Sequence, residues 1–68
     1  MTRERLHNEM KVFRARMELT QEELAARVGV TRKTINTIEN GRFVPSTVLA
    51  LKISRVFGVP LEEVFRLP

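Results

Sequence analysis

Apolar residues recur along this chain at intervals of three and four, the period of a helix with one buried face, and nowhere show the alternation of a half-exposed strand. Leu6, Met10, Phe13 and Met17 form the first such stripe, which predicts a helix from about Thr2 or Arg5 to Met17 and leaves Val12 off its buried face. Leu24, Ala25 and Val28 make a second apolar face, Ile35 and Ile38 a third, and Leu49, Ala50, Ile53 and Phe57 a fourth. A short last helix is predicted from Leu61 to about Arg66, with Pro60 well placed at its first turn. The expected architecture is all-α, a five-helix bundle forming one domain over residues 1–68.

Polar residues mark where these helices begin and end. Thr20 is positioned to cap the second helix, with Glu23 three residues on to complete a capping box, and Glu22 and Glu23 suit the positive end of its dipole. Gly29 follows Val28, where a left-handed residue ends a helix without a Cβ clash. Thr31 starts the third helix and Asn40-Gly41 stops it; Phe43, Val44 and Pro45 then connect to a fourth helix, capped by Ser46 and ended by Gly58.

Residues 21–40 therefore read as two short helices joined by a glycine turn, a helix-turn-helix in which Val30 occupies the turn. Two helices that cross tightly need a small residue at the closest approach, and Ala25 supplies it. Ile35 and Ile38 hold the second helix of the pair to the core, which leaves its remaining positions free for a partner.

Charge gives that free face a sign. Twelve Lys and Arg against eight Asp and Glu give a net charge of +4, which favours an anionic partner, nucleic acid before membrane. Between Arg27 and Arg42 the basic residues are Arg27, Arg32, Lys33 and Arg42, and the only acid is Glu39. Composition removes other classes. No apolar run approaches the roughly 20 residues of a membrane span, and residues 1–11 lack the apolar stretch of a secretory signal. The absence of cysteine removes disulfides and thiolate ligands and fits a reducing cytoplasm. His7 has no Cys or His partner for a metal, and Glu62 and Glu63 suit a dipole role at a helix start better than paired-carboxylate catalysis. No catalytic residues, metal or cofactor are expected, and no small-molecule effector is implied.

Thr20-Gln21 before the motif, Ile38-Glu39-Asn40-Gly41-Arg42 after it, Pro45-Ser46, Leu49 to Ile53 and Pro60 to Phe65 complete a pattern that resembles the Cro and phage-repressor family of helix-turn-helix transcriptional regulators. The resemblance covers about residues 8 to 66 and is closest to short stand-alone members. It implies a third helix lying in the DNA major groove, with base-reading positions at Arg32, Lys33, Asn36 and Thr37. Arg32 then pairs with guanine O6 and N7, Lys33 reaches guanine less geometrically, and Asn36 bonds an adenine edge. The same match implies phosphate contacts from Thr20, Gln21, Thr31, Asn40 and Arg42. It also implies an ion pair between Arg14 and Glu39 that sets Arg14 near a phosphate, a surface pair contributing only about 0 to 1 kcal/mol. Two positions depart from the family pattern: Lys33 stands where Gln is usual, and Thr47 where Leu is usual.

Leu61, Val64, Phe65 and Leu67 place much apolar surface on the terminal helix, as core closure or as a two-fold interface; relatives commonly dimerise through this end. The expectation is a homodimeric, sequence-specific binder of double-stranded DNA, a repressor acting on an inverted repeat. The alternative is a protein-interaction module such as the antitoxin half of a toxin pair.

Overall fold

The computed structural model describes residues 5–68. Its elements in chain order are β1 (His7–Asn8), α1 (Met10–Arg16), α2 (Gln21–Val28), α3 (Arg32–Glu39), α4 (Thr47–Phe57), α5 (Leu61–Val64) and β2 (Phe65–Arg66). The five helices match the expected bundle, and the predicted caps form as local chemistry dictates. At α2, Thr20 Oγ1 accepts from Glu23 N at 3.0 Å while Glu23 Oε1 accepts from Thr20 N at 2.9 Å, the complete capping box. Thr31 and Ser46 cap α3 and α4 in the same way, accepting from Thr34 N and Leu49 N.

Two strands of two residues each accompany the expected helical bundle. They pair antiparallel, His7 with Arg66 and Asn8 with Phe65, and Glu9 N donates to Val64 O at 2.9 Å alongside. Two corrections follow. The predicted first helix extended to Thr2 or Arg5; residues 2–4 lie outside the described residues, and residues 5–9 are loop and strand, the helix beginning at Met10. The last helix, predicted to Arg66, ends at Val64, where Phe65 turns extended (φ −122°, ψ 133°) to meet β1. Strands of two residues are too short to show alternation, and their pairing joins opposite ends of the sequence.

The core is a single cluster in which Leu24, Ala25 and Val28 of α2 meet Ile35 and Ile38 of α3, roofed by Leu49, Ala50, Ile53 and Phe57 of α4. Met10 enters from α1, and Val64 and Phe65 close the cluster. Phe13 stacks on Phe57 with ring centroids 5.5 Å apart. Met17, expected on the core stripe, is 41% exposed; Leu19, after the helix has ended, is 6% exposed and takes the buried place. The reversal follows from the turn at Glu18, whose φ of 55° swings the chain inward.

Candidate nucleic-acid interface

The face of α3 opposite Ile35 and Ile38 carries Arg32, Lys33 and Asn36, all exposed, at spacings that form one stripe one to two turns long. Thr37 lies beside them, half-buried, with its hydroxyl donating to Lys33 O at 2.7 Å, so that its methyl group and oxygen lone pairs remain for a partner. These base-reading candidates thus share one surface. Their electrostatics are unusual for a helix start: the first turn of α3 holds Arg32 and Lys33 and no acid, whereas that of α2 holds Glu22 and Glu23. Cations at the positive end of a helix dipole are unfavourable by a few tenths of a kcal/mol or more. An anion laid against that end reverses the sign.

The flanks of this stripe hold the phosphate candidates. Thr20 and Thr31 are exposed caps, and Arg42 is exposed just past α3. The stop there is built from Gly41 at φ 73°, with Gly41 N donating to Ile38 O and Arg42 N to Thr37 O, both at 3.0 Å. Gln21 and Asn40 are tied into a polar network with Asn36: Gln21 Nε2 donates to Asn36 Oδ1 at 3.2 Å and Asn40 Nδ2 to the same oxygen at 3.4 Å.

Arg14 and Glu39 form the expected ion pair, but not at the surface. Arg14 Nε donates to Glu39 Oε2 at 2.7 Å and Nη2 to Oε1 at 3.0 Å, a bidentate clasp; the Glu39 side chain is 0% exposed and that of Arg14 18%. Its hydrogen bond with Glu39, opposed in part by desolvation and reinforced by the carboxylate charge, raises the already high pKa of Arg14 further. Nη1 donates to Leu19 O at 2.9 Å, so all three guanidinium nitrogens have protein acceptors and only outward N–H groups remain for a phosphate. Arg14 is first a brace between α1 and α3.

Asn8 was not singled out from the sequence. Its Nδ2 donates to Ile38 O at 3.0 Å while its Oδ1 accepts from Met10 N at 3.2 Å, so one side chain starts α1 and satisfies a carbonyl at the end of α3. An Asn side chain that accepts from the backbone N–H two residues on forms an Asx turn leading into the helix, a signal hidden because the predicted helix ran through it.

At the opposite end, the four apolar residues expected to form an interface separate. Val64 (0% exposed) and Phe65 (6%) belong to the core of the protomer, which removes them from any surface. Leu61 is half-buried and Leu67 is 69% exposed. Among the described residues no cluster of His, Cys, Asp or Glu is arranged to hold a metal, and no helix is long and apolar enough to cross a membrane.

Comparison with known proteins agrees with this geometry. A family model described as helix-turn-helix matches residues 10–64. The chain is 48% identical over 60 residues to an uncharacterized HTH-type transcriptional regulator of Methanocaldococcus jannaschii, covering 88% of this chain and 91% of that one. It is equally similar, 48% over 60 residues with the same coverage, to the HTH-type transcriptional regulator YgzD of Bacillus subtilis, itself uncharacterized. Among solved structures, the restriction-modification controller protein C.AhdI of Aeromonas hydrophila superposes with a TM-score of 0.74 at 28% identity, over 79% of this chain and 82% of that one. A hypothetical transcription factor from Neisseria gives 0.75 at 28% identity, over 79% and 61%. With its capped helix pair, its exposed cationic α3 and a match over most of its length, the chain belongs to the Cro/C1-type helix-turn-helix family of DNA-binding transcriptional regulators, a family that is not enzymatic.

Proposed function

We propose that the protein is a sequence-specific repressor that binds an inverted-repeat operator as a homodimer, in the cytoplasm, with each α3 in a major groove. The observation that carries this reading is the exposed first turn of α3, with Arg32 and Lys33 against the helix dipole and Asn36 one turn on. Arg32, Lys33, Asn36 and Thr37 meet base edges, and Thr20, Gln21 through its backbone N–H at the start of α2, Thr31, Asn40, Arg42 and the outward N–H groups of Arg14 orient the domain on phosphates. On this reading, regulation is by occupancy of the DNA.

A single α3 spans too few base pairs for a long operator, which is the argument for two copies about 34 Å apart on successive major grooves. The apolar residues left at the surface support the same reading: Leu67, Val44, Val48 and Leu51 are each more than half exposed, and Leu61, half-buried against the core, shares a groove with Leu67. The interface therefore rests on Leu61 and Leu67 and not on the buried pair Val64 and Phe65.

Solution mass and selection from random duplex DNA test both parts together. The expected results are a two-chain mass and a selected site that is an inverted repeat with half-sites one helical turn apart. A monomeric mass at micromolar concentration with a single asymmetric site overturns the dimer, and selection of no preferred sequence overturns base reading. Leu67→Glu should yield the monomer with helicity intact; a mass unchanged by that substitution removes this end as the interface.

A further inference from the structure

The hydrogen-bond network behind α3 has a direction. A carboxylate only accepts, so the atom of Gln21 that lies 3.1 Å from Glu39 Oε1 must be its NH2 group. The same NH2 lies 3.2 Å from Asn36, and the atom it meets there must be an acceptor, Oδ1. Amide orientations are ambiguous when a side chain stands alone. Here reversing Gln21 would set its oxygen against the Glu39 carboxylate, which Arg14 holds in place by two hydrogen bonds. Asn40 Nδ2, 3.4 Å from Asn36 Oδ1, points the same way.

We propose that Glu39, acting through Gln21, fixes the amide of Asn36 so that it presents only hydrogen-bond donors to DNA, and that Asn36 consequently selects guanine in place of adenine. The inference rests on the reading that Asn36 meets a base edge. Bidentate recognition of adenine needs one donor for N7 and one acceptor for the N6 amino group. The acceptor of Asn36 already takes hydrogen bonds from Gln21 and Asn40, and among the described residues its Nδ2 makes none. Guanine offers N7 and O6, two acceptors side by side, and matches a donor-only group; cytosine offers the N4 donor alone and does not. Glu39 and Gln21 are positioning residues, because they reach the base through Asn36. The base preference implied by an asparagine in isolation is thereby reversed by a buried charge two side chains away.

Selection from random duplex DNA at fixed salt, run with the intact chain, Asn36→Ala and Gln21→Ala, tests this. Gln21 lies at the first turn of α2, outside the apolar core, so its replacement leaves the fold in place. The intact chain should prefer guanine over adenine about tenfold at one position per half-site, as a good base contact allows. Asn36→Ala should flatten that position alone. Gln21→Ala should let adenine rise there to within about twofold of guanine, with the other positions unchanged. Equal or greater selection of adenine by the intact chain at the position that Asn36→Ala flattens overturns the relay and leaves base reading standing. A guanine preference that survives Gln21→Ala at full strength also overturns the relay. If Asn36→Ala changes no position, base reading by Asn36 fails, and the inference with it.

Discussion

Arg14 clasps Glu39 through two hydrogen bonds, of 2.7 and 3.0 Å, across the gap between α1 and α3, and the two partners differ in burial: the carboxylate is fully enclosed and the guanidinium reaches solvent. Their removal should therefore be unequal. Arg14→Ala strands a buried carboxylate, at about 3 kcal/mol or more. Glu39→Ala leaves a cation that can turn to water and keep Leu19 O, at about 1 to 2 kcal/mol. Urea denaturation of the two variants checks the order, and the double variant should lie closer to Glu39→Ala than the sum implies. Equal losses would show that the pair behaves as a surface contact.

Asn8 couples the start of α1 to the end of α3, and its replacement by Ala leaves Met10 N and Ile38 O each short of one partner. A loss of about 1 to 2 kcal/mol is expected, with faster amide exchange at Met10. Asn8→Asp keeps the cap on α1 but sets a carboxylate against Ile38 O, so it should not restore stability.

Glu18 occupies the left-handed region at φ 55°, where Leu19 N donates to Arg14 O and closes α1 in the manner that Gly41 closes α3. A side chain there is strained by about 1 kcal/mol. Glu18→Gly should stabilise the protein by up to about that amount, raising Tm by a few degrees; a lower Tm would mean that the Glu18 side chain holds the turn.

Glu23 should give the protein an acid-sensitive cap. Its backbone hydrogen bond with Thr20 N, then the Thr20 side-chain bond, lower its pKa below the ordinary value. A carboxylate with a depressed folded pKa supplies stability that is fully present above its unfolded pKa, about 4.3, and lost as pH falls through the folded value. Thermal unfolding followed from pH 7 to pH 3 should fall less steeply for Glu23→Gln than for the intact chain.

What the sequence made legible was local. Thr20 with Glu23, Thr31, Ser46 and Gly29 each act within four residues of themselves, and each cap forms where it was expected. The misplaced features depend on distant partners. β1 exists because Phe65 and Arg66 return to it, Leu19 replaces Met17 in the core because Glu18 turns left-handed, and Asn8 matters because Ile38 O stands beside it. The candidate surface follows the same division. The exposure of Arg32, Lys33 and Asn36 follows from helical period alone, whereas the burial of Glu39 and the amide order behind Asn36 need the packing of three helices.

In the proposed complex the outer face of α3 reads base edges while residues beyond it grip phosphate. Random-site selection and affinity against salt, measured for Arg32→Ala and Arg42→Ala, separate the two roles. Arg32→Ala should relax selection at one base pair per half-site, at about 1 to 3 kcal/mol. Arg42→Ala should weaken every sequence alike and flatten the salt slope by about one unit per chain. Unchanged selection by Arg32→Ala would contradict the account.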